Sequence, residues 1–192
     1  MAAQGLHEHA ADSLAFIRAT MARSVAFTAV PGRGGMAMGV IGLAVAAIAS
    51  RTTDRQAWLA LWLAAAVGAG GIGLAAMQMK ARRYQVAIWS ASGRRFAQGF
   101  VPSLAAGAVL TAALVNAGSF DLLPAIWLLL YGAGVLAGAT ASVPVLTWLG
   151  VALMALGGAA SLVSRFGDLW LAAGFGGLHI IFGFIIARKY GG

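Results

Sequence analysis

Six long apolar runs constrain this chain more than any other feature. They cover 34–50, 57–79, 99–118, 122–141, 143–164 and 169–187, and none contains an Asp, Glu, Lys or Arg. Each is close to the roughly 20 residues that a helix needs to cross a hydrocarbon layer of about 30 Å. Inside such a layer every backbone N–H and C=O must be paired within its own segment, so runs of this kind become helices. The expected fold is therefore all-α: a polytopic membrane bundle of six transmembrane helices.

Composition points the same way. Charged residues make up 9% of the chain and hydrophobic ones 61%, against about 25% charged in an ordinary soluble domain. The 27 glycines come with only four prolines and with abundant Leu, Ile and Val, the mixture of closely packed membrane helices rather than of a low-complexity chain. With no cysteine present, disulfides, Cys-ligated metals and thiol chemistry are excluded. The four prolines, Pro31, Pro102, Pro124 and Pro144, fall just before or within the first turn of an expected helix, where the missing N–H costs nothing.

Lys and Arg placement sets the expected orientation. With the N-terminus inside, ten basic residues lie on the inner side (Arg18, Arg23, Arg33, Lys80, Arg82, Arg83, Arg94, Arg95, Arg188, Lys189) and three on the outer (Arg51, Arg55, Arg165). Both termini are expected in the cytoplasm, and the net charge of +8 is read mainly as a topology signal. Because it is divided among separate membrane-flanking segments, it is not a nucleic-acid footprint.

Three organisational units follow. Residues 1–33 form a cytoplasmic segment in which Leu14, Ile17, Met21 and Val25 recur at helical spacing over 10–27, an amphipathic helix lying in the interface. Residues 34–187 are the six-helix domain, and 188–192 a cytoplasmic tail. The first helix is too polar for the core of a cleaved signal peptide. The loop "KARRYQVAIWSASGRRF" sets Tyr84, Ile88, Trp89 and Phe96 between two basic pairs, so Arg82, Arg83, Arg94 and Arg95 are expected against anionic headgroups. Membrane lipid is the one bound molecule expected; no cofactor or metal is.

In "AVPGRGGMAMG" the glycines lack the spacing of a phosphate loop and run straight into a span. They read as an elbow at Pro31 and Gly32, followed by a packing face at Gly35 and Gly39. Gly134 and Gly138 repeat the four-residue spacing, as do Ala172 and Gly176, with Gly183 in line. Such spacing marks close helix packing within a bundle, or the face of a homo-oligomer.

An Asp precedes a Trp-Leu pair in "DRQAWLALW", "DLLPAIWLLLY" and "DLWLAAG", which suggests three related helical hairpins. Asp54, Asp121 and Asp168 would then ring the outer mouth and attract cations or a partner. The simpler account is that each Asp favours a helix N-terminus.

His179, in "GFGGLHIIFG", is the only readily ionisable side chain far from both ends of a span. About eleven residues of helix, or roughly 16 Å, separate it from the outer end. Tyr131 and Thr111 fall at comparable depth, and a hydroxyl from either would satisfy an imidazole nitrogen that is costly to bury alone. Two readings remain open: a packed, hydrogen-bonded histidine, or a contact to a ligand, proton or cofactor. A lone His is no proton relay, and haem normally demands further ligation. His7 and His9 precede the surface helix and are badly placed to assist.

Through "FTAVPGRGGMAMG", "LLPAIWLLLYGAGVLAG" and "AAGFGGLHIIFGFIIARKYGG", the chain resembles a family of small, uncharacterised bacterial six-helix inner-membrane proteins. The resemblance implies a bacterial inner-membrane location and transfers no catalytic or binding residue.

Paired carboxylates, a HExxH zinc motif and a Ser/His/Asp arrangement are all missing, so the chain is not expected to be an enzyme. The leading expectation is an accessory, scaffold or signalling-linked protein acting through a protein partner or a second copy of itself. The alternative is a transporter or channel for a small neutral or hydrophobic molecule.

Overall fold

The computed structural model describes Leu14 and residues 26–191. Most of the expected surface helix, with His7 and His9, lies outside the described residues. Its described end is not helical: Ala26 lies in no regular element, and Phe27 forms an isolated bridge with Ser142. Among the described residues, six helices are long and apolar enough to cross a membrane. They are α1 (Gly32–Ala49), α2 (Arg55–Arg83), α3 (Ala91–Asn116), α4 (Leu123–Ala139, preceded by a 3-10 turn), α5 (Val145–Leu162) and a composite sixth span. The sixth consists of α6 (Gly167–Leu171), a π-helical segment (Ala172–Leu178) and α7 (His179–Tyr190).

All six expected spans are helical, with shifted ends. α2 and α3 continue into the basic loop, which puts Arg82 and Arg83 in the last turn of α2 and Arg94 and Arg95 within the first five residues of α3. Nothing stops a helix where the apolar run stops; local caps do. The α2 end is closed by N–H groups of Gln85 and Val86 turning back to the carbonyls of Arg82 and Ala81, with Gln85 at φ 52°, a left-handed C-terminal cap. α3 then starts on Ser90, whose hydroxyl accepts from the Gly93 N–H. The far end of α3 uses the same reversal with Gly118 at φ 70°, where Ser119 N–H reaches the Leu114 carbonyl.

Three prolines sit at helix starts as expected: Pro31 and Pro144 at N-caps and Pro124 in the first turn of α4. Pro102 is a correction. Because α3 begins at Ala91, Pro102 lies well inside it, and the ladder bond to the carbonyl four residues earlier is lost.

The densest packing joins α4 to α5, α3 to α4, and α1 to the sixth span. Leu128 and Leu153 are fully buried between α4 and α5, with Leu171 and Ile186 of the sixth span beside them. Two of these three interfaces join helices that the hairpin scheme places in different pairs. The aspartates also differ in setting. Asp54 caps α2 by accepting from the Gln56 N–H, Asp121 lies in the 3-10 turn, and Asp168 accepts from two indoles of α2.

Glycine decides how close α1 comes to the sixth span. A methyl placed on Gly39 would lie 2.7 Å from the Gly176 carbonyl oxygen, and one on Gly183 would lie 2.7 Å from the Gly32 carbonyl oxygen. On Gly42 it would meet the Phe175 carbonyl oxygen at 2.8 Å. Gly35 is looser, with Gly183 Cα at 3.4 Å. Gly134 and Gly138 instead admit Phe100 and Phe96 of α3, while Gly132 and Gly150 let α4 and α5 meet backbone to backbone.

Beneath the basic end, the elbow is fastened to its neighbours. Phe27 N–H donates to the Ala141 carbonyl at 2.8 Å, and the Ser142 hydroxyl donates to the Phe27 carbonyl at 2.6 Å. The Lys80 ammonium is buried and donates to the Val30 carbonyl at 3.0 Å. It holds α2 against the elbow, so its contact is internal.

Candidate functional site

α2 is the least embedded helix. Among the described residues its close backbone packing is to α1, and it exposes Leu63, Val67, Ile72, Leu74 and Met79. Its two ends are nevertheless tied down. At the aspartate end, the indole N–H groups of Trp58 and Trp62 both donate to one oxygen of Asp168, at 2.8 and 3.1 Å. Arg55 donates to the Gly118 carbonyl at 3.2 Å and lies over the Phe120 ring. Lys80 fastens the opposite end.

Between these ties α2 stands away from α3 and α4, leaving a cavity of about 700 Å³. That falls within the range of about 300–1,000 Å³ typical of small-molecule sites. Met38, Leu63, Val67, Leu104 and Leu171 are among its apolar walls, and its inner wall carries Tyr131, Phe175 and His179. Among the described residues, no Asp, Glu, Lys or Arg lines it.

Tyr131 and His179 meet directly, with the phenolic oxygen 3.0 Å from Nε2. Helix α4 supplies the tyrosine, whose ring is held edge-on by Phe100 at 5.3 Å and Phe175 at 5.1 Å. The histidine is the first residue of α7, 5% exposed, and its Nδ1 lies 3.0 Å from the Gly174 carbonyl oxygen one wide turn back. The π segment that creates this turn reads AAGFGGL. Local π geometry recurs where a helix must re-aim a side chain. Gly174 also lacks the Cβ that would collide with Leu128, so the segment can approach α4 closely enough for the two rings to bond.

Thr111 does not take part. Its hydroxyl donates to the Gly107 carbonyl at 2.8 Å and accepts from Trp127 Nε1 at 2.9 Å. Of the two hydroxyls expected near His179, Tyr131 is the partner, and Thr111 instead orients a tryptophan on the cavity wall. Gly176 and Gly183 pack against α1, as their spacing suggested.

Phe27, Phe96, Phe100, Tyr131 and Phe175 form a continuous run of ring contacts, with successive centroids 5.1 to 5.8 Å apart, from the elbow to the cavity. Sequence reasoning missed this spine. Phe96 and Phe100 are four residues apart, a usable helical signal, but Phe27 and Phe175 join only through tertiary packing.

Arg82, Arg83, Arg94 and Arg95 are exposed at the basic end with Tyr84 and Trp89. The Arg94 guanidinium also donates to the Trp89 carbonyl at 3.2 Å. Among the described residues, no group of three or more His, Cys, Asp or Glu side chains is placed to hold a metal ion.

Over the described residues the class defined here is an all-helical protein with six helices of membrane-crossing length and apolarity and a lateral apolar cavity. Comparison with family models, with curated proteins and with solved structures found no match to this chain.

Proposed function

We propose that this is a multi-pass protein of the bacterial inner membrane, with both termini cytoplasmic, that takes a small neutral or hydrophobic molecule from the bilayer. The molecule occupies the space between α2 and the Tyr131–His179 pair, and the protein acts as a non-enzymatic carrier. One observation carries this reading: a cavity of about 700 Å³, lined mainly by apolar side chains with no Asp, Glu, Lys or Arg among the described residues, whose inner wall carries the hydrogen-bonded Tyr131–His179 pair. Such a lining favours ligands that already partition into lipid. The ten-to-three basic bias supports the orientation, and the exposed arginines with Tyr84 and Trp89 suit an anionic headgroup layer.

Tryptophan quenching tests the proposal. Trp58, Trp62 and Trp127 line the cavity, and the other three of the six tryptophans are removed in a W89F/W148F/W170F background. In nanodiscs, 12-bromo-1-dodecanol is expected to quench the remaining emission saturably, at far lower content than brominated phospholipid does. Quenching that rises only linearly, as for a dye in contact with bulk lipid, contradicts the proposal.

A scaffold role is a second reading, favoured by the outer face of α2. Gly68 and Gly71 are exposed there, and among the described residues a methyl on either would meet nothing within 4 Å, so packing among those residues does not account for them. A second helix seated on that face would. Isolation of a discrete stoichiometric complex after mild extraction supports this role, and a strictly monomeric protein opposes it.

A further inference from the structure

The hydrogen-bond inventory of the cavity wall specifies its ligand more closely. Five lining side chains carry a nitrogen or oxygen, Trp58, Trp62, Trp127, Tyr131 and His179, while Met38 adds only a weakly accepting thioether sulfur. Each indole offers only a donor, and all three are engaged, Trp58 and Trp62 by Asp168 and Trp127 by Thr111. The Gly174 carbonyl can only accept, so the 3.0 Å contact to it places a proton on His179 Nδ1. In the neutral imidazole Nε2 is then the acceptor, and the hydroxyl 3.0 Å away must be the donor. Tyr131 therefore spends its one proton on His179.

What remains is asymmetric. Every side-chain donor on the wall is committed, while the Tyr131 oxygen keeps an acceptor site that no donor from the described residues fills. Donation to the imidazole polarises that oxygen and strengthens it as an acceptor. We propose that the cavity selects a neutral, largely apolar molecule carrying a hydroxyl, and that this hydroxyl donates to the phenolic oxygen of Tyr131. Ligands that offer only an acceptor, such as ketones, esters and ethers, find no side-chain donor there. Anionic headgroups find no cation. This assignment rests on the cavity being a ligand site, as proposed above.

The test compares 12-bromo-1-dodecanol with its methyl ether by quenching in the same tryptophan background. The alcohol is expected to bind about three- to tenfold more tightly, the range for one net hydrogen bond. Replacement of the imidazole in His179→Leu frees the Tyr131 proton, so ether binding rises and the preference for the alcohol shrinks or reverses. Equal binding of the two probes to the unsubstituted pair, or tighter binding of the ether, overturns the assignment while leaving the cavity reading intact. Saturable quenching by neither probe overturns the cavity reading itself. If His179→Leu fails to fold, ring nitrogen-15 shifts of His179 decide the proton placement: a protonated Nδ1 with a hydrogen-bonded, unprotonated Nε2 supports the assignment, and the opposite tautomer refutes it.

Discussion

The seam between α1 and the sixth span and the mid-section of α2 are both rich in glycine, yet they use it in opposite ways. In the seam, methyls on Gly39, Gly42 and Gly183 would lie within 2.8 Å of facing backbone oxygens. In α2, methyls on Gly68, Gly70 and Gly71 would touch nothing within 4 Å among the described residues. The first set permits close approach. The second weakens a helix without any packing return, since each glycine costs about 1 kcal/mol relative to alanine in a helix interior. A rigid half therefore carries His179, and a yielding wall, tied at both ends, closes the cavity.

Substitution in the seam should break this contrast most strongly. Gly39→Ala forces a methyl against the Gly176 oxygen and the Ile180 side chain, and is expected to cost about 1–3 kcal/mol, as other overpacked sites do. Gly35→Ala, on the same helix but with 3.4 Å of room, is expected to stay within about 0.5 kcal/mol of the parent. Denaturant unfolding in mixed micelles, followed by circular dichroism, measures both. Equal losses at the two positions would mean that the seam is not packed as described.

A smaller effect of opposite sign is expected in α2. Gly68→Ala and Gly71→Ala should each stabilise the helix by roughly 0.5–1 kcal/mol, and by stiffening the wall they should slow uptake of the bromoalcohol. Destabilisation at either position would point instead to a neighbour seated on that face, against which the new methyl is unwelcome.

Much of this was legible in the chain, for identifiable physical reasons. Apolar runs of spanning length become helices almost without regard to context, and the glycines at 35, 39, 176 and 183 advertise a close face by spacing alone. Depth counting also paired Tyr131 with His179, since helical rise is uniform. It could not separate Tyr131 from Thr111, because depth says nothing of azimuth; Thr111 turns to its own carbonyl at Gly107 and to Trp127.

Other features depended on interactions between distant segments. Asp168 was expected to cap a helix or complete a ring, yet it clasps two tryptophans more than a hundred positions away. Lys80 counts among the basic residues of the inner side, yet it is buried on the Val30 carbonyl. The π segment carries a weak signal, a glycine-rich stretch just before the histidine, while Pro102 became internal because a serine cap, invisible to hydropathy, starts α3 early.

The central claim is that α2 stands off the bundle to hold a molecule against Tyr131 and His179. A density map of the protein in a lipid bilayer, prepared with its native lipids retained, tests this most directly. The account predicts elongated density beside α2 with one end at the Tyr131 hydroxyl. A bundle in which α2 has collapsed onto α3 and α4, its cavity closed and empty, would contradict it.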